Sequence, residues 1–174
     1  MKSTVAPMLA ALLLLAGCAA SPQPKATPPA ALTNATPEAM VAAIRAAATR
    51  DEAELSVQPL RDADIEDLRQ QALSSENAHR YAEAALALDK ALVLVPDDPA
   101  LLQERAEAAL LLRDPATAEK LARHAYAIGA KVGPLCRRHW ATIEQTRLLA
   151  GDAAGATSAR AQAAACKVTG PNRF

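Results

Sequence analysis

Aromatic side chains make up only 2% of this 174-residue chain, one Trp, two Tyr and one Phe. That scarcity excludes an aromatic-rich β-core, and with 6 glycines there is little material for Gly-rich phosphate loops. Nor is there an excess of charge of either sign, since Lys plus Arg and Asp plus Glu both number 19. A balanced chain has no electrostatic reason to take nucleic acid as its partner. No catalytic constellation emerges either. His79, His124 and His139 have no nucleophile motif beside them, and as isolated histidines they are expected to be solvated or to sit at helix ends. The sequence therefore assigns no catalytic residue, no metal and no cofactor.

What the chain does have is alanine and leucine, within a hydrophobic content of 51%. Both are strong helix formers, and small side chains let helix backbones pack closely, so the expected class is all-α.

The N-terminus reads as a targeting segment. Lys2 gives a positive start, and Met8 to Ala16 is an apolar run too short to span a bilayer. Leu15, Ala16, Gly17 and Cys18 then resemble the bacterial lipobox, in which the Cys thiol is lipidated and a peptidase cuts before it. The resemblance implies that Cys18 is the acylated N-terminus of the mature protein. Because Ala19 rather than Asp follows it, it also implies a place on the periplasmic face of the outer membrane. Stable anchoring needs two lipid signals, so three acyl chains would hold the protein permanently.

Beyond Cys18, Pro22, Pro24, Pro28 and Pro29 stand among Ala, Thr and Ser, a composition that cannot bury a core and suits an extended spacer. Thr36-Pro37-Glu38 offers a helix cap, a proline at the first turn and an acidic start, predicting a helix through about Arg50. From Glu54 to Asp62 the chain looks extended, and Pro59 argues against a central strand.

The remainder repeats. Ala84 and Ala91 recur as Ala118 and Ala125 and again as Ala156 and Ala163, always seven apart. The first interval between pairs is 34 residues and the second 38, and Leu68, Leu102 and Trp140 give the same two intervals. A period of 34 resembles that of the tetratricopeptide repeat (TPR), a helix-turn-helix unit that stacks into a solenoid. Leu68, Ala72, Ala84, Leu88, Ala91 and Pro96 carry the resemblance in the first unit. The later units depart from it: Arg105 stands at an apolar position, Glu144 at a small one and Arg160 at an aromatic one. Local caps at Asp98-Pro99, Asp114-Pro115 and Gly151-Asp152 predict helices at 65–77, 80–95, 99–112, 115–128, 135–149 and 153–168. The expected architecture is a short α-solenoid of about three TPR-like units preceded by one helix and a disordered tether. The divisions are a signal peptide at 1–17, the lipidated Cys and tether at 18–36, a helix and extended segment at 37–64, repeats at 65–168 and a tail at 169–174.

Cys136 and Cys166 stand symmetrically about Gly151 and so fall at the same height of an antiparallel helix pair. An exported pair of this kind suits a disulfide; a metal site with His139 and free buried thiols are the alternatives. The TPR resemblance places ligands in a concave groove lined by first-helix positions, here Arg69, Asn77, Gln103, Glu107, Arg138 and Gln145. The function this implies is a lipid-anchored adaptor that binds another envelope protein or peptide, with residues 54–62 as a possible occupant of the groove. A self-assembling structural lipoprotein and an envelope enzyme are the rival classes. If the lipobox functions, Cys18→Ser leaves an unlipidated precursor, whereas the wild-type mass includes acyl chains; a wild-type protein free in the soluble periplasm would end that reading.

Overall fold

A computed structural model describes residues 29–48 and 62–167. The signal, the lipobox with Cys18, the first part of the tether, the stretch at 54–61 and the tail lie outside the described residues.

Among the described residues seven helices follow one another: α1 (Pro37–Ala47), α2 (Ala63–Asn77), α3 (Tyr81–Leu94), α4 (Pro99–Leu111), α5 (Pro115–Ile128), α6 (Gly133–Leu149) and α7 (Ala153–Ala165). Among the described residues there is no strand. Helices α2 to α7 pair as α2/α3, α4/α5 and α6/α7, and each pair stacks on the next through α3 on α4 and α5 on α6. The fold is a short α-solenoid. Starts follow the local chemistry: the side chains of Asp62, Asp98, Asp114 and Asp152 each accept from a first-turn N–H, satisfying donors that the helix itself leaves open. Helix α6 begins at Gly133 rather than Leu135, because Pro134 occupies the first turn, where a missing N–H costs nothing.

The recurring alanines are the contact points. Ala84, Ala91, Ala118, Ala125 and Ala156 are all at most 3% exposed, so helix backbones approach closely where these side chains meet. Two departures from the repeat pattern are compensated by charge. Glu144 and Arg160 form an ion pair between α6 and α7, with the guanidinium Nη2 2.6 Å from the carboxylate, and Arg105 pairs with Asp89 at 2.7 Å between α4 and α3. The last pair of helices carries a further staple: Cys136 at the start of α6 is bonded to Cys166 after α7, with Cα atoms 5.7 Å apart. Closing a loop of 30 residues stabilises by roughly 3 to 4 kcal/mol, acting on the unit that has a neighbour on one side only.

His79, Arg113 and Gly151 occupy equivalent repeat positions, and all three are left-handed, with φ of 57, 60 and 72°. Each ends the first helix of its pair in the same way. The N–H of the left-handed residue bonds the carbonyl three back, and the next N–H bonds five back, as in His79 to Glu76 and Arg80 to Ser75. Glycine adopts this conformation freely; His and Arg do so at a cost of about 1 kcal/mol. At Gly151 a second constraint applies, since a Cβ there would lie 2.6 Å from the Ala30 carbonyl oxygen and from Pro29 Cβ. Residues 29–36 are thus not part of a disordered tether. Leu32 N–H donates at 2.8 Å to the Leu148 carbonyl, the same acceptor that takes the Gly151 N–H at 3.2 Å, and this second bond lays the strap against α6.

Helix α1 runs antiparallel to α6: the Ala47 carbonyl accepts from Arg137 at 3.1 Å, while Pro37 lies by Leu149 at the other end. It packs on α6 and α4 and buries Met40, Val41 and Ile44 against Leu110, Leu111 and Ala141. His79→Gly should raise unfolding free energy by up to about 1 kcal/mol, and Gly151→Ala should lower it by more; a denaturant titration in which the two changes have the same sign would refute this account of the turns.

Candidate functional site

The first helices of the pairs, α2, α4 and α6, share one face, and α1 covers its α4–α6 half. Beneath α1 lies a closed polar layer. Glu107 is 0% exposed and accepts from Arg45 Nε at 2.8 Å, from Arg138 Nη2 at 2.6 Å and from Gln103 Nε2 at 2.8 Å. Gln103, also fully buried, donates to Thr142 Oγ1 at 2.8 Å as well. With both amide protons committed, its oxygen faces His139 Nδ1 at 2.8 Å, so that nitrogen carries the proton. Thr142 completes the chain by donating to the Arg138 carbonyl at 3.0 Å.

Two expectations change here, and the metal-site alternative falls to the expected disulfide. Gln103 and Glu107 are not open groove surface: they are sealed between α4, α6 and α1. His139 is not solvated; it is 0% exposed, and its Nε2 has no hydrogen-bond partner among the described residues. Cys136 is bonded to Cys166, which leaves its sulfur unavailable as a metal ligand beside His139. Helix α4 carries Leu101, Leu102, Ala106, Ala108, Ala109, Leu110 and Leu111 around most of its circumference, which marks a central helix but not which of Gln103, Glu104, Arg105 and Glu107 are sealed.

Arg69 and Arg138 do come together, at the edge of an open cavity of about 310 Å³ between α1, α2 and α4. Its floor is Ala72, Leu73 and Leu88, and Leu73 is 46% exposed. Around the rim positive and negative groups alternate. Arg69 holds Glu104 through both Nε, at 3.0 Å, and Nη2, and reaches Glu66 at 2.8 Å. Arg45 grips Glu76 with two bonds of 2.7 and 2.9 Å. Arg45, Glu76 and Glu104 are site residues that sequence reasoning did not select, because the pairing of α1 with α2 joins positions 31 residues apart in no repeat register. The Arg45–Glu76 bridge separates this cavity from a second one, toward Asn77 and Tyr81, where the Tyr81 hydroxyl donates to Glu38 at 3.0 Å. Gln145 is half-buried on α6 and lines neither.

The arrangement defines a class: a paired-helix solenoid domain with its own N-terminal helix in half of the shared face and a charge-alternating, apolar-floored cavity in the other half. No protein-family model matches the sequence, and no curated protein matches it. Among solved structures, the chain is similar to the globular C-terminal domain of LpoP from P. aeruginosa, at 28% identity and a TM-score of 0.58, covering 60% of this chain and 99% of that one.

Burial, with Arg138 and Lys131 nearby, pushes the His139 pKa from 6.5 down to about 3. Between those values the unfolded chain binds a proton that the folded one does not, so stability falls as pH drops through the window, by up to about 1.4 kcal/mol per pH unit. His139→Asn should flatten the slope of unfolding free energy against pH below 6.5 by up to one proton. An unchanged slope in the variant would show that His139 does not titrate between the folded and unfolded states.

Proposed function

We propose that this chain is a lipid-anchored, tetratricopeptide-like adaptor of the bacterial envelope. In this reading residues 1–17 are the signal, Cys18 carries the acyl chains at the periplasmic face of the outer membrane, and residues 65–168 form the binding domain. The protein partner engages the α2 side of the shared face. One observation carries the proposal: the cavity that α1 leaves open pairs an exposed apolar floor at Leu73 with the Arg45, Arg69, Glu76 and Glu104 rim. Apolar contact there supplies affinity, and the alternating rim supplies donors and acceptors that fix orientation. The likeness to almost the whole LpoP domain supports the envelope role and makes a peptidoglycan synthase the first partner to test.

The buried pairing determines which variants are informative. Arg138→Glu would set a second carboxylate against the sealed Glu107 and destabilise the fold by about 3 to 5 kcal/mol, so a loss of capture in that variant would say nothing about binding. Leu73→Asp and Arg69→Ala alter half-open positions. Each should weaken capture of a purified peptidoglycan synthase ectodomain roughly tenfold or more, with far-ultraviolet helicity unchanged. Val93→Asp, at a side 79% exposed on α3, should leave capture intact. The reverse pattern would move the site to the other face, and no binding by the wild type would eliminate this partner.

A second reading has its own observation. Leu86, Val93 and Leu94 are each at least 55% exposed on α3, an apolar surface that favours self-association. Light scattering of the soluble domain separates a self-assembling structural lipoprotein from a monomeric adaptor.

A further inference from the structure

Away from the shared face, a third cavity of about 280 Å³ opens where the strap, α1, the α4–α5 turn and the end of α6 meet. Its walls include Pro37, Met40, Leu110, Pro115 and Leu149, and among the described residues its one charged lining residue is Arg113. Two independent features single it out. Arg113 occupies a left-handed backbone position, φ 60°, at which the equivalent residue of the last unit is Gly151. A costly conformation kept by a non-glycine residue points to a task for its side chain. Moreover, Arg113 is exposed and makes no ion pair among the described residues, in contrast to Arg45, Arg69, Arg138 and Arg147. Of the neighbouring carboxylates, Glu38 takes the Tyr81 hydroxyl at 3.0 Å and feels the Arg113 charge without pairing with it, and Asp114 takes the Thr117 N–H at 3.0 Å.

We propose that this cavity binds an aliphatic monocarboxylate, its tail against Met40, Leu110 and Leu149 and its carboxylate on the Arg113 guanidinium. Charge complementarity selects an anion, since a guanidinium matches a carboxylate with two parallel N–H bonds. The walls select a plain hydrocarbon tail over a peptide end. Pro37 and Pro115 have no N–H, and the N–H groups of Met40 and Arg113 are already bonded to Thr36 and Leu110 carbonyls. A peptide terminus would bring an amide carbonyl for which these walls keep no free N–H, at a cost of affinity. Met40, unbranched and flexible, lets the wall adapt to tail length.

Octanoate is the probe, measured by calorimetry and by ligand-observed NMR on the soluble chain. Saturable binding is expected, weakened about tenfold or more by Arg113→Gly and to a smaller degree by Arg113→Lys, which keeps the charge but loses the paired N–H bonds. Because glycine relieves the left-handed strain, Arg113→Gly should at the same time raise the thermal midpoint, which separates loss of the ligand from loss of the fold. Leu149→Phe, which fills the cavity, should also reduce binding. Octanol binding as well as octanoate, N-acetyl-leucine binding better than octanoate, or no octanoate binding at millimolar concentration would each overturn the proposal. Synthase capture is read separately on Leu73→Asp, so either idea can fail alone.

Discussion

A carboxylate with no exposure to solvent has to be neutralised where it stands, and Glu107 is neutralised by guanidiniums from two different helices. Moving such a charge out of water costs several kcal/mol, recovered only when geometry and hydrogen bonding are both satisfied. Arg138 meets it from α6, Arg45 from α1 and Gln103 from within α4, so three helices are held in one register by a single group. The rest of the layer follows from that arrangement. Gln103 is oriented by its bond to Glu107, and His139 by its bond to Gln103. The imidazole is then confined to one tautomer with a bare Nε2. Apolar burial of Met40, Val41 and Ile44 supplies attraction between α1 and the solenoid, but attraction without direction. The ion pairs supply the direction.

This seating of α1 divides the face that repeat proteins ordinarily present to ligands. One half is closed by the chain's own helix, and the other keeps a cavity with arginines and carboxylates matched pairwise around an apolar floor. Neutrality of the whole chain is thus reproduced locally: every rim arginine already has a carboxylate. A site built this way discriminates by arrangement of donors and acceptors more than by net charge, which fits recognition of a particular protein surface better than capture of a diffusing ion.

The edge of the solenoid works by different rules. His79, Arg113 and Gly151 close the same turn with the same hydrogen bonds, yet only the last uses the residue type that backbone sterics favour. At Gly151 the strap passes too closely for any Cβ, while His79 and Arg113 hold the other two positions. The disulfide acts at the opposite edge, joining the start of α6 to the end of α7. The third helix pair is therefore fastened at both edges, as suits the unit that receives the strap.

Periodicity was legible in the sequence because it is local. The alanines at 84, 91, 118, 125 and 156 had to be small wherever helices touch, and the Asp-Pro caps mark the starts of α4 and α5 regardless of what packs on them. The height of Cys136 and Cys166 followed from helical rise alone. Exposure was not legible. A solenoid position such as Glu107 or Gln103 faces the shared surface by its spacing, but spacing cannot reveal that a helix whose Arg45 lies 62 residues before Glu107 will be laid over it. The same holds for His139, whose neighbours on α4 are far away in the chain, and for Arg45, which joins Glu76 and Glu107 outside any repeat. Helix identity and repeat length were decided by the sequence, since backbone hydrogen bonds and side-chain size act over a few residues. Which polar groups are sealed, which cavity stays open and which turn bears strain were decided only by tertiary packing, because burial is a property of the whole chain's path.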